Sequence, residues 1–158
     1  MDIKFKKVSE FNRGILFDLL RDAYSFDARA EEHCKSNWQN TDNFFFDNLE
    51  IADKYAFVTT LNDEAIGFIG WDPRNMPEYV EIGHNCIAVK HKGKGYGKIQ
   101  LQEAINRIVQ NDVKKIIVTT GSSLISAQRN YESVGFKIHQ KGRAKDNFGE
   151  YIDYVYYL

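Results

Sequence analysis

Two cysteines and two prolines are all that the 158 residues contain, and each scarcity excludes something. Cys34 and Cys86 stand far apart with no CxxC spacing, so neither a disulfide framework nor a zinc site is built from them, and both read as reduced. Pro73 and Pro77 both fall within 72–78, which marks that segment as a loop. Long apolar runs are also missing. Uncharged stretches such as Ile116-Ile117-Val118 fall far short of the roughly 20 residues a membrane helix needs. The opening Met-Asp-Ile-Lys-Phe-Lys-Lys has basic residues but no apolar core or small-residue cleavage site after it, so no signal peptide is expected and the expected compartment is the cytoplasm. Nor do His33, His84, His91 and His139 form an HxxxH or join a spaced carboxylate set, so no metal is expected.

What is present is the composition of an ordinary globular chain, 43% hydrophobic and 27% charged. At this length one domain spanning 1–158 is expected. Eleven Phe, nine Tyr and two Trp make it aromatic-rich. The net charge of −1 hides an asymmetry: residues 1–80 hold 9 Lys and Arg against 15 Asp and Glu, whereas residues 81–158 hold 12 against 7. A basic half suggests either an anionic partner or merely solvated faces.

Ile15, Leu16, Leu19, Leu20 and Ala23 recur at the spacing of one buried helical face, predicting a helix at about 10–24 with Ser9 as its cap. Ala28 to Trp38 reads as helical, and Asn40-Thr41-Asp42-Asn43 reads as the cap of a further helical piece carrying Phe44-Phe45-Phe46 and Leu49. The β-rich runs 55–61 and 65–71, joined by Asn62-Asp63-Glu64, predict a hairpin, and Tyr79 to about Val89 predicts another strand. A second helical stripe, Leu101, Ala104, Ile105 and Ile108, follows the glycine cluster Gly93, Gly95, Gly97. Beyond it come a strand at 114–120, a helix capped by Ser122 or Ser123 and ending near Gly135, and two strands about a turn near Asp146-Asn147. With a weak first strand at Ile3-Lys4-Phe5, the order is β, α, α, β, β, β, α, β, α, β, β, a mixed α/β (α+β) layer structure.

The chemistry concentrates in Lys90-His91-Lys92-Gly93-Lys94-Gly95-Tyr96-Gly97-Lys98, where a strand passes into a helix. Glycines let successive backbone N–H groups converge without a Cβ in the way, the helix N-terminus adds unpaired donors, and four lysines surround them, so the segment suits a phosphate-bearing ligand. It is not a GxxxxGK[ST] loop, since only three residues separate Gly93 from Gly97 and Ile99 stands where a magnesium-holding Ser or Thr belongs. It is not GxGxxG either.

Lys92-Gly93-Lys94-Gly95-Tyr96-Gly97 resembles the acyl-CoA signature [Q/R]-x-x-G-x-[G/A] of the GNAT N-acetyltransferases, with Lys92 where the family prefers Gln or Arg. Downstream, Ala127-Gln128-Arg129-Asn130-Tyr131-Glu132-Ser133-Val134-Gly135-Phe136 is similar to the family segment AxxxYexxGF, although Leu124 replaces an Asn common seven residues before the Tyr. The resemblance implies a GNAT fold, with helices flanking a mixed, mostly antiparallel sheet, and an enzyme that moves an acetyl group from acetyl-CoA directly to a primary amine of a small molecule or peptide. It implies a cofactor grip by the backbone at Lys92, Gly93, Lys94, Gly95, Tyr96 and Gly97 with Lys98, and strand-like pairing of the pantetheine arm with Ile87, Ala88 and Val89. The Ile87 amide then faces the thioester oxygen, where it stabilises developing charge. Glu81, six residues before Ile87, matches the offset of the general base in histone-acetylating members; the alternative is a solvated strand carboxylate. His84 competes as base. Tyr131 is the implied acid for the leaving thiolate, or else a packing residue. Cys86 reads as a small buried hydrophobe, because direct transfer needs no acyl-enzyme.

In the family the acceptor meets the region between the first helices and the last hairpin, here about 24–50 and 140–149. Tyr24, Phe26, Trp38 and Phe44, with Asp27, Glu31, Glu32 and Asp42, are suited to a cationic amine, or else the aromatics are core and the acids solvated. A catalytically silent GNAT-fold protein that binds CoA as a sensor or assembly partner is the alternative to an enzyme. Nucleic acid is not an expected partner, since the aromatics do not interleave with the lysines. The alternating tail 151–158 reads as an edge strand able to pair with a second copy, which makes a homodimer an expectation.

Overall fold

The computed structural model describes residues 2–143 and 149–158; the turn anticipated at Asp146-Asn147 lies outside them. The elements are β1 (Ile3–Lys6), α1 (Ile15–Ala23), α2 (Ala28–Asp47), α3 (Leu49–Tyr55), β2 (Ala56–Leu61), β3 (Glu64–Asp72), β4 (Val80–Ile87), α4 (Tyr96–Ile108), β5 (Lys115–Gly121), α5 (Ile125–Ser133), β6 (Lys137–Arg143) and β7 (Glu150–Tyr157), with short 3-10 turns at Val8–Glu10 and Val89–His91. The strands form a seven-stranded sheet in the order β1-β2-β3-β4-β5-β7-β6. The pairs β1–β2, β2–β3, β5–β7 and β6–β7 are antiparallel and β4–β5 is parallel, so the mixed α/β class anticipated above is the one observed. Among the described residues no helix is long and apolar enough to cross a membrane, and no group of three or more His, Cys, Asp or Glu is placed to hold a metal ion.

The chain divides into two compact units, residues 1–70 with 84–96, and residues 71–83 with 97–158. In the first, Leu16, Leu19, Leu20 and Ala23 of α1 pack with Trp38 of α2, Ala52 of α3, Val58, Phe68 and Cys86. Fully burying a Leu, Val or Phe side chain stabilises by about 1.5–3 kcal/mol. The β2–β3 hairpin turns through Asn62 and Asp63, both at positive φ (49° and 67°), which these two residue types tolerate. In the second unit, Leu101, Ala104, Ile105 and Ile108 of α4 are buried as the stripe predicted, along with Ile116 and Val118 of β5.

Three local readings are corrected. The first helix starts at Ile15, not near residue 10, and Ser9 is not its cap: Ser9 bonds through both its amide and its hydroxyl to the Asp53 carboxylate of α3. The cap position is Gly14 (φ 105°), which has no side chain to offer. Instead the fully buried Asp42 carboxylate accepts from the amides of Gly14 (2.9 Å), Leu16 (3.0 Å) and Phe17 (3.3 Å), satisfying α1's orphan donors from a distant helix. Because Asp42 is spent on that contact, the helix containing it does not break at 40–43, and α2 runs unbroken for 20 residues before α3, a helix the predicted element order lacks. Ser122 and Ser123 do not cap α5 either; its cap position is Leu124, and Gln128 reaches back to the carbonyls of Gly121 and Ser122.

The tail also differs from expectation. β7 pairs with β5 along Lys115↔Tyr157 to Gly121↔Tyr151 and with β6 on its other side. Both of its edges are therefore taken, and β6 is the outer strand.

Candidate active site

The glycine turn is shaped by backbone conformation. Gly93 and Gly95 adopt φ of +75° and +91°, values at which a side chain is strained, and a Cβ built on either meets no heavy atom within 4 Å. That open space against main chain at the start of α4 is what close approach of a phosphate requires. Tyr96, the first residue of α4, is buried against Ile66 and Ile87, with the His91 ring edge-on at 6.0 Å, so the turn is pinned to β3 and the end of β4.

The lysines around the turn differ in what they hold. Lys90 pairs with Glu64 at 2.7 Å. Lys92 turns inward: its ammonium donates to the Ala23 carbonyl at the C-terminus of α1 and lies 4.5 Å from the Phe26 ring centroid and 6.0 Å from that of Tyr24. A cation at a helix C-terminus and over aromatic faces is favourable on both counts. Burial nonetheless pulls the Lys92 ammonium below the usual lysine range. Lys94 is exposed, as is Lys98 in the second unit, and neither makes an ion pair among the described residues.

Asp22 was not foreseen. Its carboxylate accepts the Val89 amide at 2.8 Å, so α1 grips the β4-to-turn connection twice, through Asp22 and through the Lys92–Ala23 bond. Nothing in the spacing of residue 22 signals this contact. The amides of Ala88 and Val89 are both engaged, Ala88 with the Ile66 carbonyl at 2.7 Å.

Tyr24, Phe26 and Trp38 do come together. Tyr24 stacks on Trp38 at 5.7 Å and 14°, and Phe26 lies beside Tyr24 at 6.4 Å. Trp38 is buried and backs the cluster, while Phe26 is exposed. The cation resting on this rim is the chain's own Lys92. Of the acids grouped with it, Asp42 is consumed in capping α1, and Asp27 caps α2 and pairs with Arg29; only Glu31 and Glu32 stand exposed. The hairpin at 140–149 lies partly outside the described residues.

Along β4 burial alternates: Val80, Ile82 and Cys86 are buried, and Glu81, Gly83 and Asn85 are more open. His84 therefore shares the parity of Cys86. Its Nε2 lies 2.9 Å from Thr41 Oγ1 of α2, its ring faces Phe68 at 6.2 Å, and burial lowers its pKa below the ordinary histidine value. Burial pushes the Cys86 thiol up to about 12.

The second unit carries the remaining candidates. Glu81 is half-buried in the short ladder with β5, opposite Ile117. Gly97 and Lys98 lie in the first turn of α4. Tyr131 is 3% exposed on α5, its ring 5.5 Å from Phe136 and 5.7 Å from Tyr154.

The chain matches the Acetyltransferase (GNAT) family over residues 15–136. Among solved structures, the PaiA N-acetyltransferase from Thermoplasma acidophilum in complex with coenzyme A aligns with a TM-score of 0.79 at 16% identity, covering 100% of both chains. A GNAT family acetyltransferase from Elizabethkingia anophelis with acetyl-CoA bound gives 0.69 at 20% identity, covering 99% of this chain and 97% of that one. The ribosomal-protein-S18-alanine N-acetyltransferase from Escherichia coli gives 0.69 at 16%, covering 98% and 91%. No curated protein sequence matches. At these identities the structural likeness is one of fold.

Proposed function

Because the chain belongs to the GNAT acetyltransferase family, we propose that it is an acetyl-CoA-dependent N-acetyltransferase acting on a primary amine of a small molecule or peptide. The observation that carries the reading is the pair of positive-φ glycines, Gly93 and Gly95, with open space where a Cβ would stand, at the N-terminus of α4. That cradle fits a pyrophosphate. The backbone from Lys92 to Gly97 holds it there, and the exposed ammonium groups of Lys94 and Lys98 balance its charge. The binding of acetyl-CoA and of CoA by the similar structures supports the same assignment.

Bound acetyl-CoA supplies an activated acetyl thioester. This chain's residues then have three tasks. Ile87 closes β4 and, with Ala88 and Val89 just beyond it, lines the pantetheine arm; the amides of Ala88 and Val89 are held within the chain, and the Ile87 amide donates to the thioester oxygen as charge develops on it. A base on β4, either Glu81 or His84, removes a proton from the acceptor ammonium. Tyr131 returns a proton to the leaving sulfur. Tyr24 and Phe26, backed by Trp38, form the rim that the acceptor meets.

Calorimetry with acetyl-CoA tests the grip, and no binding at millimolar concentration overturns the proposal. A thiol-release screen against polyamines, amino acids, aminoglycosides and amino-terminal peptides tests transfer. Binding without thiol release from any of them turns the reading into that of a CoA-binding protein without catalysis.

A further inference from the structure

Thr41 stands between two partners. Its Oγ1 lies 3.0 Å from the Asn37 carbonyl, one turn back in α2, and 2.9 Å from His84 Nε2. A carbonyl only accepts, so when the single hydroxyl proton goes to Asn37 the Thr41 oxygen accepts from the imidazole. In that arrangement His84 Nε2 carries the ring proton and Nδ1 bears the lone pair. Among the described residues Nδ1 has no hydrogen-bond partner, and it is not one of the buried polar atoms cut off from solvent. Phe68 on β3 covers the ring, and Thr41 is the polar group that reaches it from α2. Burial is the sole cause of the ring's lowered pKa, with no charged neighbour contributing, and Cys86, two residues along the strand, stays protonated.

We propose that Thr41 is a positioning residue for catalysis: it fixes His84 as the Nε2–H tautomer and so presents Nδ1 as the base that deprotonates the acceptor amine. The inference rests on the transferase reading above and decides between the two bases left open there. Nδ1 takes one proton from the acceptor ammonium while the Nε2–H bond to Thr41 holds the ring. The freed lone pair forms the C–N bond to the acetyl carbon as the C–S bond breaks, and the departing sulfur takes the Tyr131 proton. The new amide nitrogen sheds its second proton to solvent, from which Tyr131 is restored. His84 then releases its proton, giving one proton per turnover.

The test compares wild type with Thr41→Val, Thr41→Ser, His84→Gln and Glu81→Gln. Two-bond proton–nitrogen NMR of the imidazoles above pH 7 reads the tautomer without any substrate. Wild type and Thr41→Ser should show His84 protonated at Nε2 alone, and Thr41→Val a mixture. A wild-type ring protonated at Nδ1, or a Thr41→Val ring unchanged, overturns the positioning role. Turnover with the best amine of the screen reads the chemistry. His84→Gln should lower kcat about 100-fold or more, and Thr41→Val about tenfold, with little change in the KM for acetyl-CoA and recovery in Thr41→Ser. The acid limb of the wild-type pH profile should disappear in His84→Gln. If Glu81→Gln removes that limb and His84→Gln keeps it, the catalytic assignment is wrong. If acetyl-CoA binds but no amine releases thiol, the transferase reading itself has failed, and the NMR result still decides what Thr41 does to the ring.

Discussion

Burial decides the chemistry of two side chains on β4 in opposite senses. With its thiol pushed up to about 12 by burial, Cys86 stays protonated at pH 8, which opposes an acyl-enzyme route. Iodoacetamide at that pH should label the half-buried Cys34 and spare Cys86, and mass spectrometry should find no acetyl-cysteine after mixing with acetyl-CoA. Rapid labelling of Cys86 in the folded chain contradicts this. For His84 the folded state favours the neutral ring, so the unfolded chain binds its proton more tightly. The resulting stability is fully present above the unfolded value of about 6.5 and is lost as pH falls through the lowered folded value. Denaturation midpoints should therefore fall from pH 7 toward pH 5 more steeply in wild type than in His84→Gln, and equal slopes would show that burial does not hold the ring neutral. At this scale the glycine turn was legible because conformation and motif coincide in the same residues, Gly93 and Gly95. Asp22 and Thr41 were not, since each acts through a partner more than 40 positions away.

Among the elements, α1 is the one whose start depends on another helix. Local rules place a cap immediately before a helix, and the run Asn40-Thr41-Asp42-Asn43 has the composition of such a cap. The fold uses those residues in tertiary contacts instead, Asp42 under the N-terminus of α1 and Thr41 against β4. For this reason the hydrophobic stripe of α1 was readable while its boundary and the continuity of α2 were not. Asp42→Ala strands three amides, of which that of Leu16 belongs to a fully buried residue. Combining a lost cap with an unsatisfied buried donor gives a cost of about 2–4 kcal/mol. The urea midpoint should drop accordingly with an unchanged m-value, and Asp42→Asn, which keeps one acceptor oxygen, should lose less. A midpoint within experimental error of wild type for Asp42→Ala would remove the tertiary cap from this account.

For the whole molecule, element order was read closely from periodicity and turn chemistry because strands and helices of this chain satisfy their own patterns. Strand adjacency was not, because pairing is non-local: the tail looked like an edge, yet β7 is enclosed by β5 and β6. The outer strand β6 carries Lys137, Lys141 and Arg143, charges that oppose edge-to-edge association. The charge split of the sequence also takes on a finer form. Of the four lysines between residues 90 and 98, Lys90 is neutralised by Glu64 and Lys92 is turned onto the end of α1 and the rings of Tyr24 and Phe26, while Lys94 and Lys98 are exposed and make no ion pair among the described residues. Screening shortens from about 10 Å at 0.1 M salt to about 3 Å at 1 M, so a phosphate-bearing ligand held by exposed ammonium groups binds more weakly as salt rises. Calorimetric titration of acetyl-CoA should show that dependence in wild type and a shallower one in Lys94→Ala and Lys98→Ala. Glu64→Gln should act with the opposite sign, since it releases Lys90 next to the turn and removes a carboxylate, tightening binding at low salt. If neutralising Lys94 and Lys98 leaves both affinity and salt dependence unchanged, the anion is held by backbone donors alone, and the basic character of the second half serves something other than this ligand.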